Sequence, residues 1–233
     1  MADDSGLALV GGDSRFIDVH CHQLEPERSI NIISMDCGYF NPDHLPAGFY
    51  SLGLHPWFIQ GQNCQSAMDK IAKAAGSDHN LLAIGECGLD KAIHTDFSLQ
   101  LEVFHNQIAL AEQFSKPLII HCVRAFSELL HIKKLTRSKQ SWIIHGFNGN
   151  PILAGQLLKQ GFYLSFGKSV LAANSNTRQI VQTMPPERLF LETDNSGLPI
   201  ELIYAHAAGI LGVDINTLQQ RLFTNFERVF LSD

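Results

Sequence analysis

The chain is poor in several things that would assign it to a familiar class. Charged residues make up only 17% of its 233 positions, and the 17 Lys and Arg are outnumbered by 23 Asp and Glu for a formal net charge of -6. A protein that coats nucleic acid normally carries the opposite sign. No apolar run approaches the roughly 18 residues of a membrane span. The opening Met-Ala-Asp-Asp puts no basic segment ahead of an apolar stretch, so no secretory signal is expected; a cytoplasmic location and no membrane partner are expected, and no obligate protein partner is evident in the sequence. The five cysteines are odd in number and contain no Cys-x-x-Cys pair, which argues against a disulfide framework or a thiolate zinc site. Neither Gly-x-Gly-x-x-Gly after the first strand nor Gly-x-x-x-x-Gly-Lys occurs, so nucleotide-binding α/β folds lose support. Tryptophan (two) and tyrosine (four) are scarce as well.

Histidine is not scarce. There are eleven, and several of them end apolar runs. After a lead-in over residues 1–14, short strand-length runs recur at Phe16–Val19, Ile30–Met35, Phe49–Leu54, Leu81–Ile84, Leu118–Ile120, Trp142–Ile144, Phe162–Ser165 and Leu189–Leu191. Helical spacing lies between most of them. Leu101, Phe104, Ile108, Ala111 and Phe114 share one helix face, and comparable helices fit near 64–76, 124–136, 151–160, 174–184, 199–211 and 214–222. Eight strands alternating with helices predict a (β/α)8 TIM barrel as one domain over residues 15–233. The first two crossovers are too short for full helices, so the barrel is expected to be distorted or trimmed.

Polar residues concentrate where these strands end. Strand one closes with His20-Cys21-His22, and alternation along an extended chain sends both imidazoles to one side. Strand three ends at His55, strand four at Glu86, strand five at His121, strand six at His145, and strand eight at Glu192-Thr193-Asp194. In a TIM barrel these C-terminal strand ends carry the active site. Taken singly, a His-x-His pair or a strand-end histidine is more often structural than metal-binding. Jointly, His20, His22, Glu86, His121, His145 and Asp194 offer enough nitrogen and oxygen donors for two divalent ions bridged by Glu86. Asp194 is placed to accept a proton from water, and Glu192, one layer deeper, to orient a ligand. His55 either contacts substrate or shapes the turn before Pro56. Cys21, Cys87 and Cys122 each follow an inward ligand and so face away from it. The imidazole-rich set suits Zn, and its carboxylates suit Mn or Mg.

In this order the motifs resemble the TatD-type metal-dependent hydrolases, relatives of the amidohydrolase barrels. The resemblance runs through His20-Cys21-His22, Gly53-Leu54-His55-Pro56, Gly85-Glu86-Cys87-Gly88-Leu89-Asp90, Ile120-His121, His145-Gly146-Phe147-Asn148-Gly149, Ser165-Phe166-Gly167, Glu192-Thr193-Asp194 and Asn225-Phe226-Glu227-Arg228-Val229-Phe230. It implies a TIM barrel, two divalent metals and ester hydrolysis, usually as a deoxyribonuclease, and puts the ligands on the same six residues. The substrate would be DNA or a small phosphate or carboxylate ester. The substrate side departs from the family pattern. The basic residue after the strand-five histidine is Arg124, one position late, and Asp194 is followed by Asn195-Ser196-Gly197. Arg124, Lys91 and Lys168 are the cations near strand ends that could meet a phosphate, though solvated surface charge is the commoner role for each.

Overall fold

The computed structural model describes residues 15–23, 29–60, 63–172 and 175–232; the lead-in over 1–14 lies outside them. Eight strands, β1 (Phe16–Cys21), β2 (Ser29–Asp36), β3 (Phe49–Gly53), β4 (Leu81–Asp90), β5 (Leu118–Val123), β6 (Trp142–Ile144), β7 (Tyr163–Phe166) and β8 (Leu189–Leu191), form one sheet in sequential order. Every pairing is parallel. The sheet closes at the C-terminal end of β1, where Cys21 bridges Asp194 and the Asp194 N–H donates to the His20 carbonyl at 2.9 Å. This is a TIM barrel, nearly closed, as the strand count predicts.

Helices α1 (Cys64–Ser77), α2 (Phe97–Gln113), α3 (Phe126–Thr136), α4 (Pro151–Lys159) and α5 (Asn176–Thr183) occupy the crossovers from β3 onward, and α6 (Ile200–Leu211) and α7 (Ile215–Phe226) follow β8. The first two crossovers carry no helix among the described residues, in line with their length. Local chemistry sets the helix starts. Asn63, Asp96, Asn150, Ser175 and Asp214 each accept a backbone N–H from the first turn.

Strand alternation divides the apolar residues into two layers. Leu52, Ile84, Ile120, Ile144, Leu164 and Leu191 pack with residues of the surrounding helices. Ile17, Val19, Ile32, Ile119, Ile143 and Phe190 pack with one another and with Phe223, Phe226, Val229 and Phe230 from the C-terminal segment. The second set fills the barrel, with the C-terminal segment against its interior. Two residues further along β5, β6 and β8, the same inward alternation reaches His121, His145 and Glu192. The barrel core therefore continues into the polar site.

β4 departs from regular alternation. Its register against β5 shifts between Ile84 and Cys87, and Gly88 sits at φ +140°. A Cβ at Gly88 would lie 2.1 Å from the carbonyl oxygen of His121, so only glycine lets the two strands approach there. Two buried glutamines of α2 hold neighbouring strand ends. Gln107 bonds the backbone N–H and carbonyl of Leu54, and Gln100 does the same for Asp90.

Candidate metal centre

Glu86 is the hub. Its Oε1 lies 3.0 Å from His55 Nε2, 3.0 Å from His121 Nδ1 and 2.8 Å from His145 Nε2, while Oε2 lies 3.3 Å from His20 Nε2. Asp194 Oδ1 sits 3.7 Å from His20 Nε2 and 3.4 Å from His22 Nε2. The structure thus gathers all six sequence-predicted ligands, and three combinations bring donor atoms within 4.8 Å of one another: His20, His145 and Asp194; His20, His22 and Glu86; His55, Glu86 and His121. Cys87 and Cys122 stay out of this chemistry. Burial pushes the Cys87 thiol well up and that of Cys122 to about 12, so neither is a ready thiolate.

The electrostatics are those of a carboxylate among imidazoles. Burial works to raise the Glu86 carboxyl, but the imidazoles around it, His145 foremost, outweigh it and hold it well below the usual range. Burial likewise works to lower His145, and Glu86 with Glu192 drives it well above normal instead. Asp194 ends below its usual value because His22, His20 and His145 overcome its burial.

Hydrogen bonding fixes ring orientation. His55 Nδ1 accepts the Trp57 N–H at 3.1 Å, so the proton of neutral His55 is on Nε2 and donates to Glu86. His55 therefore caps the turn that follows it and turns its Nε2 toward Glu86. His121 Nε2 donates to Asp90 Oδ2 at 3.1 Å, which leaves Nδ1 with a free lone pair toward Glu86. Glu192, fully buried, accepts the Gly146 N–H and lies 3.5 Å from His145 Nδ1, the supporting position expected of it.

The family model described as TatD related DNase matches residues 43–231. The chain belongs to that family. An uncharacterized metal-dependent hydrolase of Haemophilus influenzae is 31% identical over 166 residues, covering 68% of this chain and 62% of the relative. YabD of Bacillus subtilis, described in the same words, is 39% identical over 127 residues, 52% of this chain and 49% of YabD. The matches thus span between about half and two thirds of these two relatives. The crystal structure of YjjV, a TatD homolog from Escherichia coli, superposes with a TM-score of 0.80 at 22% identity, covering 94% of this chain and 99% of that one. At that identity the likeness speaks for the barrel alone.

The donor set of this TatD-family chain fits a divalent cation. His20 is completely buried, yet neither of its ring nitrogens finds a hydrogen-bond partner among the described residues. An imidazole in that position costs about 1–3 kcal/mol per unsatisfied nitrogen. A cation held by Glu86 and Asp194 would satisfy Nε2.

Two contributors were missed in the sequence. Asp90 stands at an even spacing from Glu86, which is the available signal, but the apolar run of this strand stops before Glu86. Trp57, two residues past His55, donates from Nε1 to Asp90 Oδ2 at 2.8 Å. Burial works to raise the Asp90 carboxyl, but the bonds from Trp57, Ala92 and His121 hold it below its usual value. Replacing Asp90 with Ala frees the His121 ring, and metal affinity is expected to fall by about 10–100-fold, read by competition with a chelating dye. An unchanged affinity would show that Asp90 does not orient His121.

The cations fare differently. Lys91 pairs with Glu128, and its ammonium lies 4.9 Å from the centre of the Phe97 ring. Arg124 and Lys168 are exposed, and none of the three lines the cleft of about 570 Å³ that opens over Glu86 and Asp194.

Proposed function

We propose that this chain is a divalent-metal-dependent hydrolase of ester bonds, acting on the phosphodiesters of DNA. The observation that carries the reading is the buried, unbonded His20 ring aimed between two carboxylates. His20, His22, Glu86 and Asp194 would hold one ion, and Glu86, His121 and His145 a second. When bound, such ions polarise an ester oxygen and lower the pKa of water. The chain's own residues do the rest. Glu86 faces both groups of donors and would contribute to both ions. Asp194, ionised and partly open to the cleft, accepts the proton of the attacking water. Glu192 and Asp90 keep the His145 and His121 rings in register.

A small phosphate or carboxylate ester is the second candidate substrate, because the cleft is not lined by Arg124, Lys91 or Lys168 to grip a polyanion. Zn, Mn and Mg all suit the donor set. The test is elemental analysis of the purified protein, then metal reconstitution and assay on DNA with free 3′ and 5′ ends beside simple phosphate and carboxylate esters. Two ions per chain and chelator-sensitive cleavage of DNA are expected. Salt-sensitive DNA affinity accompanies the nuclease activity, and its absence with cleavage of a small ester favours the second substrate. No hydrolysis of any ester with any of the three metals would overturn the reading.

A further inference from the structure

The ligand cluster forms only one side of its cleft. The same cleft is lined by Tyr39, Trp57 and Phe58, which are 79%, 56% and 38% exposed. Large aromatic rings grouped at one mouth and left open to solvent mark a binding surface more often than chance exposure does. The Tyr39 and Phe58 rings meet edge-on with centroids 6.0 Å apart. Trp57 and Phe58 belong to the 3-10 turn Pro56–Phe58, whose first backbone bonds are held by His55.

Trp57 is anchored as well as exposed. Its Nε1 donates to Asp90, and its ring lies edge-on to His55 at 5.1 Å and to His121 at 6.0 Å. One edge of the indole is thus tied to the residues that support the ligand cluster, while more than half of the side chain remains open. A ring held in this way loses little freedom when a flat group stacks on it, so the contact is converted efficiently into affinity.

We infer that Tyr39, Trp57 and Phe58 form a specificity subsite that stacks one planar aromatic group of the substrate, a nucleobase or an aryl ring, beside the scissile ester. The position of the ester rests on the hydrolase reading; ring binding does not. Stacking of this kind accepts any flat ring, so the site discriminates ring from no ring rather than one base from another.

A binding measurement tests the subsite without turnover. The chain has two tryptophans, and Trp142 is fully buried, so quenching by a small added ligand reports Trp57. Metal-free protein titrated with thymidine, and separately with phenol, is expected to show saturable quenching by at least one of them. The signal should vanish in Trp57→Phe. In Tyr39→Ala, whose exposed side chain can be removed without disturbing the fold, the apparent Kd should rise about tenfold. Saturation by thymidine alone identifies a nucleobase as the group recognised, and saturation by phenol alone an aryl ring. Quenching by both ligands that never saturates overturns the subsite.

A turnover measurement adds matched substrates. Metal-loaded protein is given a thymidine dinucleotide beside its counterpart lacking one base, and benzyl acetate beside cyclohexylmethyl acetate, whose leaving alcohols are closely matched. In at least one pair the ring-bearing member should be favoured about tenfold in kcat/KM, and Tyr39→Ala should bring that ratio toward one through KM. Equal turnover within both pairs overturns the subsite and leaves the hydrolase reading standing. Saturable quenching in a protein that hydrolyses none of the four substrates leaves the subsite and counts against the hydrolase.

Discussion

Glu86→Ala is expected to lower kcat/KM for metal-dependent ester hydrolysis by about a thousandfold or more, a loss of about 4 kcal/mol in transition-state stabilisation. The metal content of the purified protein should fall with it, while unfolding remains a single cooperative transition. The size of the effect follows from position. Both Glu86 oxygens are engaged, Oε1 toward His55, His121 and His145 and Oε2 toward His20. Among the described residues no other carboxylate is placed to serve His20 and His121 together, so one truncation disables both groups of donors. The competing account makes Glu86 a counter-charge that only stabilises four nearby imidazoles. That account expects a lower melting temperature with turnover intact. Measuring melting, metal content and rate on the same preparation separates the two, and an unchanged rate would remove Glu86 from the metal centre.

What the sequence revealed and what it hid have separate physical causes. The apolar runs are inward- or helix-facing strand segments, and those of β5, β6 and β8 stop where the inward side chains become polar. His121, His145 and Glu192 were therefore legible: they continue the alternation of Ile119, Ile143 and Phe190. The same rule hid the end of β4. A strand read as ending at the first polar residue stops near Glu86, whereas the structure carries it to Asp90 across a register shift between Ile84 and Cys87. The role of Asp90 was lost with those residues. Trp57 carried no periodic signal, since its position comes from a turn capped by His55 and from a bond to a residue 33 positions away. Gln100 and Gln107 were hidden in another way. Each lies one helical turn before Phe104 or Ala111, on the buried face of α2, but helical spacing carries no sign that their amides hold strand ends. Arg124 shows the converse. Its distance along the chain from His121 suggested a place at the site, but its backbone takes a left-handed turn at φ +54° and it does not line the cleft. Strand positions transmit geometry through alternation; loop positions do not.

Asp194→Asn is expected to reduce kcat by about 100-fold or more, within the range spanned by loss of a positioned general base. The substitution is well suited to isolating charge from shape. Asp194 has φ +50°, and its N–H closes the barrel by donating to the His20 carbonyl. Asparagine tolerates that left-handed conformation as readily as aspartate, whereas alanine would add backbone strain to the lost carboxylate. The Asn variant should therefore melt within a few degrees of the parent. Its amide still reaches toward His22 but can neither take a proton from water nor offer a negative charge to a cation. The depressed pKa of Asp194 means that the parent carboxylate is ionised throughout the neutral range, so the comparison holds across that range. Metal titration then divides the two roles. If excess metal restores the rate, Asp194 acts mainly as a ligand. If the rate stays low at full metal occupancy, the missing function is acceptance of the proton. Parental turnover in the Asn variant at equal metal content would exclude both roles and shift the proton-accepting step to another group at the cleft.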